Sequence, residues 1–134
     1  MIVDTSALIA VLEQEAEADD IGMLLAGLGG QISAATLVEA RVVALGRGGP
    51  TGLRRLDALV AKTGLTVVPF DEIQADVATV AYRDFGRGSG HPAKLNLGDS
   101  YSYALAHVAD EPLLYIGDDF SHTDIRSALE EYGE

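Results

Sequence analysis

The chain opens Met1-Ile-Val-Asp4-Thr-Ser6-Ala-Leu-Ile-Ala-Val-Leu12. Two apolar β-branched residues followed by an acid read as a short buried strand, Ile2–Asp4, running into a helix over Ser6–Leu12. Working outward, strand and helix keep alternating. Ile21, Leu24, Leu25 and Leu28 fall at i, i+3, i+4 and i+7, the stripe of an amphipathic helix that Gly27, Gly29 and Gly30 end. Gln31–Ala34 predicts a second strand, and Thr36-Leu-Val-Glu39 opens a helix to about Leu45. Gly46-Arg-Gly-Gly-Pro50 predicts a break, after which Leu53, Leu56, Leu59 and Val60 mark another helix. Leu65–Pro69 predicts a third strand, and Ile73, Val77, Val80 and Ala81 stripe the helix after it. Gly86-Arg-Gly-Ser-Gly-His-Pro92 reads as the most flexible stretch. Tyr101, Ala104, Leu105 and Val108 stripe a helix that Asp99 is placed to cap. Leu113–Ile116 predicts a fourth strand, and Thr123 or Asp124 starts a last helix. This alternation implies an α/β fold, a short parallel sheet of four or five strands flanked by helices on both faces. The Gly-Pro stretches are loops inside one domain, residues 1–134, because neither half could bury a core alone.

Composition narrows the chemistry. Of 134 residues, 48% are hydrophobic and 22% charged, enough apolar material for a core. The sequence has no Cys, which excludes a disulfide framework and any thiolate ligand or nucleophile. No apolar run approaches ~18 residues, so no membrane-spanning helix is expected. The opening segment meets an acid at position 4 without a basic lead-in and does not read as a signal peptide. A cytoplasmic protein is the expectation. The net charge is −12, and its distribution is uneven. Residues 1–40 carry seven acids and no base, residues 41–94 eight bases and five acids, and residues 95–134 one base and nine acids. Binding duplex DNA through a broad basic surface is disfavoured, since phosphate neutralisation needs many Lys and Arg. Chain ends that fold together would make an acidic pocket beside a basic segment; a solvated acidic surface is the plainer alternative.

The strand edges sharpen this. In an open α/β sheet, ligands bind outside the carboxyl ends of the strands. Asp4 ends the first strand, Glu39 lies in the first turn after the second, and Asp118 and Asp119 follow the fourth. Asp99 joins them if its helix starts at the same edge. Each acid also has a purely structural role open to it: Asp4 and Asp99 as helix caps, Thr36-x-x-Glu39 as a capping box, Asp118-Asp119 as a turn. Together they would crowd one edge, where a like-charge pair at ~4 Å costs ~4 kcal/mol at an effective dielectric of ~20. A cation, or protonation of some acids, relieves that. Carboxylate-only ligands suit Mg²⁺ or Mn²⁺ rather than Zn²⁺, as one ion or two.

These residues carry a resemblance that covers essentially the whole chain. Met1-Ile-Val-Asp4-Thr-Ser6-Ala-Leu, Thr36-Leu-Val-Glu39-Ala, Leu97-Gly98-Asp99-Ser100-Tyr-Ser-Tyr-Ala104 and Leu114-Tyr-Ile-Gly-Asp118-Asp119-Phe120-Ser-His-Thr123-Asp124-Ile, in that order, resemble the PIN-domain family and its VapC-type toxins of bacterial toxin–antitoxin modules. The resemblance implies a single PIN-like domain. It also implies a Mg²⁺- or Mn²⁺-dependent endoribonuclease that cuts single-stranded or loop RNA and is held inactive by a cognate VapB-like antitoxin. Homodimers and larger toxin–antitoxin assemblies are implied too. The family's acids fall on Asp4, Glu39, Asp99 and either Asp118 or Asp119, with Asp119 preferred because it precedes Phe120. Ser6, with Thr5, and Thr123 are candidates for the small hydroxyl residue near the metal, and Asp124 for an outer group. The departure from an RNA-cutting enzyme is the net charge of −12.

Arg87 and Lys94 flank the Gly-rich loop before Asp99 and are candidates to guide RNA or hold an acidic partner tail. His122 is the best placed of the three histidines, although metal chemistry requires none. Tyr101 and Tyr103 could stack on a base, and Leu12, Leu24, Leu25 and Leu28 could contribute to a groove for an antitoxin helix; internal packing is the alternative for each. Two other functions fit less well. A phospho-receiver signalling domain needs an acidic pair after the first strand and a late Lys after a strand. Here Asp4 stands alone, Asp71 lies two residues beyond Pro69, and Lys94 follows no strand. A non-catalytic PIN-like binding module would keep the fold without turnover.

Overall fold

Ile2 and Val3 are wholly buried and join opposite cores. The computed structural model describes residues 1–133. The elements are β1 (Ile2–Val3), α1 (Thr5–Leu12), α2 (Ala18–Leu28), β2 (Gln31–Ser33), α3 (Ala34–Thr63), β3 (Thr66–Val68), α4 (Glu72–Phe85), α5 (Leu97–Ala109), β4 (Leu113–Leu114) and α6 (Ala128–Tyr132). The strands form one sheet in the order β3-β2-β1-β4, with every neighbouring pair parallel. Successive residues of an extended chain point to opposite faces, so a sheet covered on both sides needs apolar residues at every position. Accordingly Ile2 and Leu113 join a cluster with Leu95, Tyr103 and Phe120, while Val3 and Leu114 join another with Leu8, Ile21, Leu25, Ile32 and Leu56. No helix among the described residues is long and apolar enough to cross a membrane.

The α/β alternation and the four strands follow the sequence expectation, and several local readings are corrected. The break expected over Gly46–Pro50 is present but is confined to one residue rather than a loop: α3 is two helical arms that meet at a kink at Gly49, φ 62°. Pro at the first position of the resumed helix loses no hydrogen bond it could have made. α3 starts earlier than Thr36: Ser33 is its N-cap and accepts from the Ala35 N–H, so Glu39 sits in the second turn and the Thr36–Glu39 capping box does not form. Asp99 is likewise not the cap of α5. Asn96 is, and Asp99 completes the capping box three residues on. The last helix begins at Ala128 behind Ser127, leaving Thr123 and Asp124 in the loop. On α4 the buried face is Gln74, Ala78 and Ala81, whereas Ile73 is 64% exposed and Val80 is exposed. The small residues let α4 lie close on α5, and this contact overrides the larger apolar period. Leu28 and Val108 are also exposed. The Gly86–Pro92 stretch is closed at its base by Arg87 N–H donating to Leu95 O (3.0 Å) and Leu95 N–H to Phe85 O (2.9 Å). His91 packs edge-on to Phe85 within it.

Phe120, 1% exposed, anchors the loop after β4 against Tyr115. Phe120→Ala is expected to cost about 3–5 kcal/mol, and Ile73→Ala less than about 0.5 kcal/mol, both read by urea unfolding. A comparable loss from Ile73→Ala would return the buried face of α4 to its large apolar residues.

Candidate active site

Asp4 follows β1 and caps α1, where it is 3% exposed. Its Oδ2 accepts from the Ser6 N–H (3.1 Å) and the Ser6 hydroxyl (2.7 Å), and its Oδ1 from the Ser102 hydroxyl at 2.5 Å. Ser6 Oγ in turn accepts from the Ile116 N–H (3.0 Å). With its proton committed to Asp4, Ser102 accepts from the Thr36 hydroxyl at 3.2 Å. A chain of hydroxyls therefore links α3, α5, α1 and the segment after β4 to one carboxylate. Burial raises the Asp4 pKa above the ordinary carboxyl value, against the pull of its serine hydrogen bonds.

Five further acids line the same cavity of about 420 Å³: the expected Glu39, Asp99 and Asp119, together with Glu13 and Glu15. Glu39 is half-buried, and its Oε1 accepts from the Thr5 hydroxyl at 2.5 Å. Its carboxylate lies where a Cβ on Gly98 would be, so the glycine before Asp99 makes room for it. Burial raises the Glu39 pKa, with a further push from the charge of Asp4. Asp99 is 7% exposed, and its Oδ2 accepts from the Asn96 N–H (3.0 Å). Burial first, then the Asp119 side chain and the charges of Asp4 and Asp119, push its pKa up to about 8. Asp119 stands in the loop that turns at Gly117, φ 97°, and ends on buried Phe120.

The expected acids thus face one space from α1, α3, α5 and the loop after β4. Among the described residues, however, no three His, Cys, Asp or Glu side chains stand close enough to grip one ion between them. The donor set is all oxygen, and the charge of Asp4 helps to raise the pKa of both Glu39 and Asp99. Both features fit a hard divalent cation.

Other expected residues fall elsewhere. Asp118 is exposed and outside the cavity lining, its backbone carbonyl taken by Ser121. Of the pair, Asp119 is the one that lines the cavity. Thr123 donates to Phe120 O and accepts from the Ile125 N–H, closing the loop rather than facing the acids. Asp124 accepts from the Tyr103 hydroxyl (2.7 Å) on the other side of the sheet, so it is not an outer group of this cavity. Arg87, Lys94 and the three histidines do not line it either. Ser6 does, as expected. Leu25 is core rather than groove.

Sequence reasoning missed Ser102, Thr36, Asn96 and Arg47. Ser102 and Asn96 lie three residues either side of Asp99, the spacing that puts helix neighbours together. Arg47 Nη1 donates to Glu13 Oε1 at 2.5 Å across the rim of the cavity. Both partners are largely exposed, so the pair contributes at most about 1 kcal/mol.

Comparison with known proteins agrees with this fold. A family model described as PIN domain matches residues 1–126. Ribonuclease VapC42 of Mycobacterium tuberculosis is 50% identical over 129 residues, covering 96% of this chain and 98% of that protein. Ribonuclease VapC28 of the same organism is 47% identical over 131 residues, covering 97% and 98%. Among solved structures, VapC20 of Mycobacterium tuberculosis, described as a sarcin-ricin loop cleaving toxin, superposes with a TM-score of 0.70 at 20% identity, covering 92% of this chain and 95% of that one. A toxin–antitoxin complex from Klebsiella pneumoniae matches with a TM-score of 0.64 at 21% identity, covering 90% and 89%. These two likenesses speak for the fold. With the family model matched over nearly its whole length and relatives close to half identical, the chain belongs to the PIN domain family.

Proposed function

We propose that this chain is a Mg²⁺- or Mn²⁺-dependent endoribonuclease toxin that cleaves phosphodiester bonds of single-stranded or loop RNA in the cytoplasm and is silenced by a cognate VapB-like antitoxin. The single observation that carries the reading is that Asp4, Glu39, Asp99 and Asp119 face one cavity at the carboxyl edge of the sheet. The ribonuclease names of the two relatives support the substrate class, and the Klebsiella complex supports an antitoxin partner. Association as a homodimer and with antitoxin in a larger assembly belongs to the same proposal.

A divalent ion bound here supplies Lewis acidity that neutralises charge on a transferring phosphoryl group. This chain's residues do the rest. Ser6 and Ser102 fix both oxygens of Asp4, Thr5 turns Glu39 into the cavity, and Asn96 holds one oxygen of Asp99. Asp119, on the loop anchored by Phe120, is the most exposed of the four. The raised pKa values of Asp4, Glu39 and Asp99 mean that ion binding releases protons. A non-catalytic binding module is the second reading, favoured by the finding that no three acids stand within gripping distance among the described residues.

Cleavage of single-stranded RNA with Mg²⁺ or Mn²⁺ is the deciding experiment. EDTA is expected to abolish it, and Asp4→Asn, Asp99→Asn or Asp119→Asn to reduce it by on the order of a hundredfold or more. Asp118→Asn should cut normally. Cleavage surviving EDTA and the three substitutions in a nuclease-free preparation rejects the reading.

Thermal unfolding distinguishes the binding module. Mn²⁺ at millimolar levels should raise the Tm of the wild type and leave that of Asp99→Asn unmoved; no shift in the wild type favours the binding module. Without metal, Asp99 keeps a proton in the fold that the unfolded chain has released. Its stabilising contribution is complete below the unfolded value of 3.8 and is lost as pH rises through about 8. Asp99→Asn should therefore flatten the metal-free decline of Tm over that range.

The small protein encoded beside this chain should co-purify with it and suppress RNA cleavage. A complex that cuts as fast as the free chain would remove the antitoxin from the proposal.

A further inference from the structure

We infer that Arg47 grips the RNA phosphate beside the scissile bond, and that Glu13 is the anion this phosphate displaces. The inference rests on the ribonuclease reading and adds the substrate contact that reading lacks. Of the nine Lys and Arg residues, Arg47 alone lines the cavity that holds Asp4, Glu39, Asp99 and Asp119. A phosphodiester entering a cavity lined by six acids, Glu13 and Glu15 among them, meets repulsion, and a cation at the rim offsets it. Arg87 and Lys94 lie in the loop before α5 and do not reach this space.

The geometry suits exchange. Glu39, Val43 and Arg47 follow at four-residue intervals along the first half of α3, and all three line the cavity. One ridge of one helix thus carries Glu39 near its start and Arg47 two turns on, a backbone rise of about 12 Å along the axis. Glu13, at the end of α1, takes one guanidinium nitrogen, Nη1, and Glu15 adds negative charge close by. The Arg47 side chain is 59% exposed and that of Glu13 is 42% exposed. Water screens such a pair, so little opposes its replacement. A phosphate offers the planar guanidinium two parallel hydrogen bonds, where Glu13 accepts one. The two glutamates therefore keep the empty arginine over the cavity and compete with RNA for it.

Two measurements test this. In EDTA, the Kd of a short fluorescein-labelled single-stranded RNA of mixed sequence is read by anisotropy, so binding does not depend on metal or turnover. Arg47→Ala should weaken binding about tenfold, with Arg47→Lys between it and the wild type. The salt slope should fall by about 0.7, one single-strand phosphate contact. Glu13→Gln should tighten binding about threefold, and that gain should vanish in the Arg47→Ala background. In cleavage with Mn²⁺, Arg47→Ala should raise KM about tenfold and leave kcat within about twofold. Kd and KM within about twofold of wild type for Arg47→Ala overturn the inference, as does a wild type that binds no RNA. A wild type that binds RNA through Arg47 and cuts none would instead sink the ribonuclease reading and leave this contact standing.

Discussion

A carboxylate withdrawn from water at the end of the central strand is the constraint on which this molecule turns. An ionised carboxylate taken into the interior costs several kcal/mol unless hydrogen bonds replace its hydration. Asp4 gets those bonds from Ser6 and Ser102, which come from its own helix and from α5. Ser6 also receives the Ile116 N–H, and Ser102 the Thr36 hydroxyl. The network that solvates the acid is thus the same one that ties three helices and the β4 loop into register. Helix capping and site building are one arrangement here.

The architecture was legible because it depends on coarse signals. Ile2-Val3 and Leu113-Leu114 are apolar at consecutive positions, which only a strand covered on both faces tolerates, and helical stripes separate such runs. Boundaries were less legible because several residues compete for each cap. Ser33, Thr36, Asn96 and Asp99 can all cap a helix by residue type. Tertiary contacts decide: Thr36 is drawn to Ser102 and Glu39 to Thr5, leaving Ser33 to cap α3. The stripe on α4 failed for a related reason. Close approach of α5 favours Ala78 and Ala81 over Ile73 and Val80, and spacing alone carries no information about neighbour distance.

The acids themselves were legible from strand ends, because a parallel sheet aligns those ends at one edge. Their supports were not, since Ser, Thr and Asn are common and a sequence does not say which hydroxyl meets which carboxylate. Charge was legible in total and misleading in placement. The bases cluster in the middle of the chain, yet the one that reaches the acids comes from inside a segment that looked like a loop. The first arm of α3 stays helical past Gly46 as far as the bend at Gly49, and this keeps Arg47 on the same rod as Glu39.

The bend at Gly49 divides that rod into two parts with different tolerance to change. Before it, helical register sets where side chains point, and one inserted residue between Glu39 and Arg47 would swing the arginine around the axis by about 100°. After it, the second arm runs through Leu56 in the core to Thr63 and the edge strand β3, and no residue of that arm borders the acidic cavity. Relatives could therefore lengthen, shorten or re-aim the second arm while the chemistry stays in register, and variation in α3 should accumulate beyond the bend.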